Sequence, residues 1–413
     1  MSGKQCGGSV GISVGHGLFL GDEPADAHRC APSPSVPYGR LRSVADFSTT
    51  LQPGVGAGTG FDAATTYVPA DPSRVLWGRL PRQGDGEVAS IDSGESLMID
   101  TLSHEGLLPD QGADPAAFFG SYGVDRDRVL NDAVALVATG SRADADGPHV
   151  VTGPVAVRGA LPGDLLAMTL EEATPRVDYG VISNRHGRGA LPGEYPRPGG
   201  ADVSVFTPIA PGTDGSWRGW LPVADGQEPL VSFPLAPFLG IMGVATATQN
   251  RAHSVPPGAH GGNIDLKHLV EGATLYVPVQ VPDALAYVGD PHFAQGNGEV
   301  SLTALEASLR VRVRFDVVPA DEAALAFGVL AGPVAADATH LMPMGMDEDL
   351  DEAMRACVRQ AIAILGARYG IESHLALAYL SAATDFEITQ VVDLVTGVHA
   401  RIRVADFGAV RRG

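Results

Sequence analysis

Short apolar segments separated by Gly, Pro and Asp make up most of the chain from about Thr66 onwards. Typical examples are Ser96–Ile99, Gly153–Val157 and Asp164–Leu170. Short strands bounded by turn residues at such regular spacing are typical of β-sandwiches and β-barrels. The pattern therefore predicts a mainly β fold.

The clearest predicted strand is Leu309–Val317, where apolar residues alternate with three arginines and Asp316. A period of two indicates a strand with one face in the core and the other in water. Residues 275–281 alternate in the same way shortly before the polar segment Asp290–Glu299. We therefore expect that segment to lie on a turn that leaves a strand, a common position for functional side chains.

The pattern changes near the C-terminus. Apolar residues in Leu350–Leu365 follow a helical spacing, and the acidic residues of Asp347–Asp351 suit a helix N-terminus. A second helix is predicted at Ser373–Ala382 and a strand at Ile388–Val395. These elements predict a small α+β subdomain.

The predicted organisation has three parts. Residues 1–60 are rich in Gly, Pro, Ser and Asp without a sustained period, which predicts a poorly ordered extension. Residues 61–345 are predicted to form a mainly β catalytic region, and residues 346–413 the α+β subdomain.

Composition narrows the possible functions. The 413 residues carry a formal net charge of −20, which disfavours nucleic acid and anionic membrane surfaces as partners. No segment approaches the ~20 apolar residues of a membrane span. The three cysteines, Cys6, Cys30 and Cys357, are scattered and form no CxxC pair, which argues against a disulfide framework and a thiolate zinc site. We expect a soluble, cytoplasmic protein.

Two neighbouring segments concentrate the candidate chemistry, His260–Asp265 and Gly289–Glu299. Together they place eight ionisable or amide side chains between glycines. Glycine lets the backbone approach a ligand closely, and carboxylates beside imidazole suit a metal ion or a proton shuttle. The alternative is that the glycines build turns and the polar groups cap them.

These segments resemble the signature region of acetamidases and formamidases, in which an HGGN-x-D loop precedes a GD-x-H-xx-QGDGE loop. The match continues in order through Thr152–Ala160 with Pro162–Asp164, Pro237–Ala245 and Thr389–Asp393, and spans about Thr66 to Arg403. One departure is Asn297, which stands where the family usually carries Asp. If that Asp binds metal or protons in relatives, Asn297 would weaken the function.

The resemblance implies a jelly-roll-like β-sandwich joined to a barrel-like β part and a small α/β end. It also implies a homo-oligomer, short amides as substrates, and a divalent metal, with zinc as the expected ion. The expected reaction cleaves a short-chain amide to a carboxylate and ammonia by metal-assisted attack of water.

Candidate metal ligands are Asp265, Asp290 and His292, because carboxylate oxygens and neutral imidazole are ordinary zinc donors. The alternative for Asp290 is a turn cap. Glu299 is the candidate general base or acid, and its alternative is a simple salt bridge. Glu306 is a second candidate base because it interrupts an apolar run, although a buried ion pair with an arginine would explain it almost as well.

Other residues have weaker claims. His260, Asn263 and Gln295 could bind the amide or polarise its carbonyl, although such side chains in loops are more often structural. His104 could add a fourth metal ligand, although a lone loop histidine more often faces solvent. No Gly-x-Ser-x-Gly elbow surrounds Ser103, and Cys357 lies on the apolar face of a predicted helix. Serine and cysteine nucleophiles are therefore disfavoured.

Two other functions remain open from the sequence. A lactamase or another small C–N hydrolase could share the same site and differ only in the pocket wall, for which Val181–Val231 would supply loops. A non-catalytic jelly-roll binding protein could retain a metal or sugar site without turnover, and Asn297 would permit this.

Overall fold

The computed structural model describes residues 50–54 and 66–410, and its regular structure is dominated by strands. The strands are β1 (Thr66–Val68), β2 (Leu76–Trp77), β3 (Ala89–Ile91), β4 (Glu95–Asp100), β5 (Val150–Val157), β6 (Leu165–Pro175), β7 (Tyr179–Asn184), β8 (Val203–Pro211), β9 (Trp217–Pro222), β10 (Pro229–Pro234), β11 (Phe238–Val244), β12 (Gly261–Asn263), β13 (Thr274–Pro278), β14 (Ala286–Ala294), β15 (Leu305–Glu306), β16 (Leu309–Val318), β17 (Val334–Ala336), β18 (His340–Asp347), β19 (Asp385–Gln390) and β20 (Thr396–Arg403). The helices are α1 (Pro115–Gly120), α2 (Asn131–Thr139), α3 (Ala320–Phe327), α4 (Leu350–Tyr369) and α5 (Ser373–Ala383). The predicted mainly β fold is confirmed.

Two sheets are formed by these strands. The nine-stranded sheet has the order β1-β4-β16-β6-β13-β17-β18-β20-β19, and the eleven-stranded sheet contains the path β10-β9-β8-β7-β15-β14-β11-β12 together with β2, β3 and β5. β11 of the second sheet contacts β6 and β13 of the first. The main core lies between the two sheets, since one cluster joins Leu275 and Val311 to Leu239 and Val288.

The alternating segment forms the predicted strand, β16. Its apolar face is buried, including Val311 and Val313, and it pairs with β4 and β6 on its two sides. One position on the polar face departs from the expectation, because Arg310 is also buried. Two hydrogen bonds to Asp100 on β4, of 2.6 and 2.9 Å, accompany its burial.

The C-terminal helices are confirmed. Asp349 caps α4 by accepting hydrogen bonds from the backbone N–H of Asp351 and Glu352, and the helix packs its apolar face into a second core cluster. That face includes Cys357, which is fully buried. The boundary predicted between residues 345 and 346 falls inside β18, and β18 joins β20 and β19 to the nine-stranded sheet.

The predicted strand Ile388–Val395 is only partly right, because β19 ends at Gln390. The Gln390 side chain accepts hydrogen bonds from the backbone N–H of Val392 and Asp393 and donates one to the Val395 carbonyl. These hydrogen bonds pair the backbone groups of a turn, and the turn forms in place of the strand that the sequence pattern predicts.

The segment Val181–Val231 was predicted to supply loops, and the structure corrects this. Much of it belongs to β7, β8, β9 and β10, which form one side of the second sheet.

Most of the predicted N-terminal extension, residues 1–60, lies outside the described residues. Residues 50–54 are described, and they contact the body of the protein. Leu51 N–H donates to the Arg176 carbonyl at 2.8 Å, and the Gln52 amide donates to the Val129 carbonyl at 3.0 Å.

None of the helices in the described part of the chain is both long enough and apolar enough to cross a membrane.

Candidate active site

Strand β11 brings the two polar segments together. It pairs with β12 on one side, placing Ile241 opposite Asn263, and with β14 on the other, placing Phe238 opposite His292. The strand predicted between the two segments, at residues 275–281, contains β13 and lies in the other sheet. The two segments therefore meet because they flank a common third strand.

Asp290 and His292 lie within β14, which corrects the prediction of a turn at this position. Strand β14 is held between β11 and β5, and both residues are buried. Residues two apart in a strand share a face, so the two side chains point to the same side of the sheet. The alternative of a turn cap for Asp290 is thereby removed.

Three of the predicted site residues have left-handed backbone conformations. The φ angles are 49° for Asp265, 50° for Asp290 and 48° for Glu299. A non-glycine residue in this region carries backbone strain of about 1 kcal/mol or more. Such strain concentrates at functional sites, where it directs a side chain away from its regular orientation.

His292 is the centre of the cluster. Its Nε2 atom lies 3.1 Å from Asp290 Oδ2 and 3.1 Å from Glu306 Oε1. Its Nδ1 atom lies 3.1 Å from Gln295 Oε1, and the Gln295 amide donates to the Asp265 carbonyl at 2.7 Å. Gln295 therefore positions His292 and does not line the cavity described below. Glu306 contacts two histidines, His292 and His104, and no arginine among the described residues forms an ion pair with it.

Two histidines reach the cluster from other parts of the chain. His104, which follows β4 in the nine-stranded sheet, is buried and places Nδ1 3.5 Å from Asp290 Oδ1. His149 precedes β5 and places Nε2 3.8 Å from the same oxygen. Glu105 contacts His104 Nε2 at 3.2 Å on its far side and orients the ring. His104 is thus buried, contrary to the solvent-facing alternative.

Potential metal ligands form three overlapping groups around the same point. They are His104 with His149 and Asp290, Asp290 with His292 and Glu306, and Asp265 with His292 and Glu299. In each group the candidate ligand atoms lie within 4.8 Å of one another. All four predicted metal ligands belong to these groups, together with His149, Glu299 and Glu306.

The electrostatics of the cluster reflect excess negative charge. Burial raises the pKa of Asp265 and Glu299 well above the usual range, and neighbouring carboxylates raise it further. Burial likewise raises the pKa of Asp393 to about 7. Burial lowers the pKa of an imidazole, but Glu306 and Asp290 outweigh that effect and raise the pKa of His292. Protons on these groups and a bound divalent cation are two ways to balance the same charge.

The donor set fits a divalent cation. Among the described residues, several buried atoms that face the cluster have no hydrogen-bond partner: His104 Nδ1, Asp265 Oδ1 and Oδ2, Asp290 Oδ1, and Glu306 Oε2. Buried polar atoms nearly always have hydrogen-bond partners, so a group of buried oxygen and nitrogen atoms without partners requires an explanation. Mixed carboxylate and imidazole donors are those that zinc and similar ions use.

A cavity of about 420 Å³ opens onto the cluster. Its lining includes the buried residues Asn263, Asp290 and Glu299 and the more exposed Arg142 and Arg188. Asn263 is buried, and its Oδ1 atom has no hydrogen-bond partner among the described residues. Asn263 can therefore accept a hydrogen bond from a ligand in the cavity. The volume is suited to a small molecule.

His260 does not belong to this group. It is not among the residues that line the cavity, and its ring lies beside Gly258 and beside Gly262 in β12. Burial lowers its pKa to about 4. The prediction that His260 contacts substrate has no support from its position.

Sequence reasoning missed His149, Glu105 and Asp393. His149 and Glu105 carry no motif that marks them in a single sequence. Asp393 could have been identified from the sequence, because it ends the Thr389–Asp393 segment that resembles the family. In the structure it lines the cavity and lies beside Asp265. The side-chain amide of Asn297 donates a hydrogen bond to Glu387, which does not belong to the cluster.

Comparisons with known proteins show which family the chain resembles. The sequence profile of the Acetamidase/Formamidase family matches residues 244–404, which contain Asn263, Asp265, Asp290, His292 and Glu299. Formamidase of Methylophilus methylotrophus is 29% identical over 192 residues, 37% of this chain and 47% of that protein. Acetamidase of Mycolicibacterium smegmatis is 25% identical over 233 residues, 45% of this chain and 57% of that protein.

Solved structures support the same fold. An acetamidase from Bacillus halodurans superposes with a TM-score of 0.64 at 23% identity, covering 84% of this chain and all of that one. An acetamidase from Yersinia enterocolitica gives 0.66 at 21% identity, covering 86% of this chain and 96% of that one. The chain spans about half the length of the curated relatives that it matches. The predicted resemblance to the acetamidase/formamidase family is therefore confirmed, and residues 244–404 carry it.

Proposed function

We propose that this protein hydrolyses a small amide to a carboxylate and ammonia in the cavity above Asp290. The observation that carries the proposal is the group of buried, unpaired carboxylate and imidazole atoms of Asp265, Asp290, Glu306 and His104 around His292. The formamidase and acetamidase names of the relatives support amides as the substrate class.

Amide hydrolysis needs three functions at one place: activation of water, stabilisation of charge on the carbonyl oxygen, and a proton for the leaving nitrogen. A divalent cation, with zinc as our expected ion, would supply Lewis acidity that polarises the carbonyl and makes water more acidic. Asp265, Asp290, His292 and His104 would hold it. The remaining functions belong to side chains of this chain.

Glu299 is our general base and acid. Its carboxyl group faces the cavity, and burial raises its pKa above the usual range. A carboxyl whose pKa is raised towards neutrality can take a proton from water and return it to the departing nitrogen. Asp393 raises the pKa of Glu299 and lines the same wall, so we assign it a supporting role in proton transfer.

Asn263 is our substrate-binding residue. Its unpaired Oδ1 atom can accept a hydrogen bond from the N–H of an amide, and this would orient the carbonyl carbon towards attack. Glu306 accepts a hydrogen bond from the Ala304 backbone and contacts His292 at 3.1 Å, which suits a ligand or a positioning group better than a mobile base.

The test is ammonia release from formamide and acetamide by the purified full-length protein, with metal content determined on the same sample. His292→Ala should abolish turnover of the metal-loaded protein, and Glu299→Gln should lower it by at least about 10²-fold. Metal-free protein that still turns over would remove the metal from the proposal. Metal-loaded protein that is inert towards open-chain amides but cleaves a lactam would redirect the substrate class, and inertness towards both would overturn the proposal.

A further inference from the structure

A second cluster of metal-binding side chains lies outside the cavity. We propose that His268, Glu387 and His399 form a separate site for a borderline divalent cation such as zinc. Glu387 on β19 and His399 on β20 are directly opposite each other in the sheet, so their side chains share a face. His268 comes from the segment between β12 and β13. This inference does not depend on the proposed amidase function.

The distances suit coordination better than hydrogen bonding. Glu387 Oε2 lies 3.7 Å from His268 Nε2 and 3.6 Å from His399 Nε2. An N–H···O hydrogen bond has a donor to acceptor distance of about 2.7–3.2 Å, so both pairs are too long. Two ligands about 2.1 Å from a tetrahedral zinc ion lie about 3.4 Å apart, close to the observed spacing.

The imidazole nitrogen atoms that face Glu387 have no hydrogen-bond partner among the described residues. Within the described part of the chain, neither His268 Nε2 nor His399 Nε2 has a hydrogen bond, although both atoms are buried. The His399 side chain is fully buried, so water from bulk solvent does not solvate it freely. Two unpaired imidazole nitrogens directed at one carboxylate oxygen are costly unless a ligand lies between them.

Neighbouring groups hold the three ligands in place. The Thr389 hydroxyl lies 2.8 Å from His399 Nδ1; when it accepts a hydrogen bond there, the Nε2 lone pair is free for a metal. The Asn297 amide donates to Glu387 Oε2, which retains a second lone pair. Arg401 brings positive charge, but its Nη1 atom approaches the other oxygen, Oε1, at 3.6 Å.

The donor types select the ion. Two imidazoles and one carboxylate favour zinc, cobalt or nickel over calcium and magnesium, which prefer oxygen ligands. The side chains of His268 and Glu387 are 20% and 24% exposed, so an ion can reach the cluster and water can complete its coordination. We therefore expect an open, three-ligand site.

The test is zinc stoichiometry, measured by elemental analysis of the full-length protein after chelator treatment, reloading with ZnCl₂ and desalting. His268→Ala should bind one zinc ion fewer per chain than the unchanged protein. His374→Ala is the matched control, because His374 is exposed and also lies beside a glutamate, Glu372, and it should bind as much zinc as the unchanged protein. Equal zinc in all three proteins would overturn the site.

A second measurement covers the case in which His268→Ala fails to fold. Crystals of the unchanged protein soaked in ZnCl₂ should give an anomalous difference peak between the three side chains. Thr389→Val should weaken zinc binding at this position by about 10- to 100-fold, as loss of an orienting partner does elsewhere. A zinc-soaked crystal with anomalous density in the cavity cluster and none here would reject the proposal.

Discussion

The backbone of Gly240 lies directly against the carboxylate of Asp265. The Gly240 carbonyl accepts a hydrogen bond from Asp265 N–H at 3.2 Å, and a Cβ atom at position 240 would lie 2.4 Å from Asp265 Oδ1. The same Cβ would lie 2.6 Å from Asp290 Oδ2. Gly240 therefore leaves room for two carboxylates to approach each other.

We predict that Gly240→Ala greatly reduces both metal binding and amide hydrolysis. Position 240 does not have a positive φ, so alanine is compatible with the backbone, and the clash falls on the two carboxylates. Metal content by elemental analysis and ammonia release from formamide measure the two effects.

Gly332→Ala is the matched control for this change. A Cβ atom there would lie 3.7 Å from the nearest atom, Met346 Cε, which is ordinary contact. The control should retain its metal and activity. A Gly240→Ala protein with normal metal content would show that the carboxylates do not need this space.

Glu299→Gln should lower kcat for amide hydrolysis by about 10²- to 10⁴-fold, because glutamine keeps the size of the side chain but cannot exchange a proton. The change leaves an oxygen that can still coordinate, so we expect metal content to fall much less than turnover does. Steady-state kinetics with metal analysis on the same preparations separates the two effects.

The exposed Glu322 on α3 provides the control, and Glu322→Gln should have unchanged kinetics. If Glu299→Gln kept its kcat and raised only KM, Glu299 would bind the substrate and another group would transfer the proton.

Local patterns predicted several of the individual elements. The alternation in β16 and the acidic start of α4 depend on neighbouring residues, so they can be read from the sequence. Gln390 shows the limit, since its side chain bonds to the next turn and ends β19 early. Such competition between a side chain and strand pairing has no periodic signal.

The site was predictable only in part. Asp265, Asp290, His292 and Glu299 were marked by two glycine-rich segments that resemble the family. His149 joins them only because β5 pairs with β14, and this pairing involves residues more than a hundred positions apart. No local pattern in a single sequence indicates which distant strands pair. The side-chain contact of Asn297 likewise could not be predicted from the sequence, because Glu387 is ninety positions away along the chain.

Arg310→Ala should lower the free energy of unfolding by about 3–5 kcal/mol, because it leaves the carboxylate of Asp100 buried without one of its charged partners. Arg310 and Asp100 are both buried and form two hydrogen bonds, of 2.6 and 2.9 Å. Urea unfolding followed by circular dichroism measures the difference.

The same strand offers the control for that change. Arg314 also forms two hydrogen bonds with an aspartate, Asp316, but the Arg314 side chain is 48% exposed. Arg314→Ala should lower the free energy of unfolding far less than Arg310→Ala does, because exposed ion pairs contribute little to stability. Similar losses for both variants would mean that burial does not set the strength of the Arg310 pair.

Asp85 should make stability depend on pH. Burial acts to raise the pKa of Asp85, but hydrogen bonds from the Arg251 side chain and the Arg82 backbone outweigh it and lower that pKa. A carboxyl group with a lowered folded-state pKa adds stability above its unfolded pKa of about 3.9 and loses it as the pH falls through the folded value.

Asp85→Asn should therefore reduce the free energy of unfolding by about 0.5–1 kcal/mol near neutral pH, a small effect because Arg251 is partly exposed. The difference from the unchanged protein should shrink below about pH 4 as Asp85 becomes protonated. Urea unfolding at several pH values tests this, with Asp225→Asn at an exposed aspartate as the control. A difference that stayed constant down to about pH 3 would show that the ionised form of Asp85 is not what stabilises this loop.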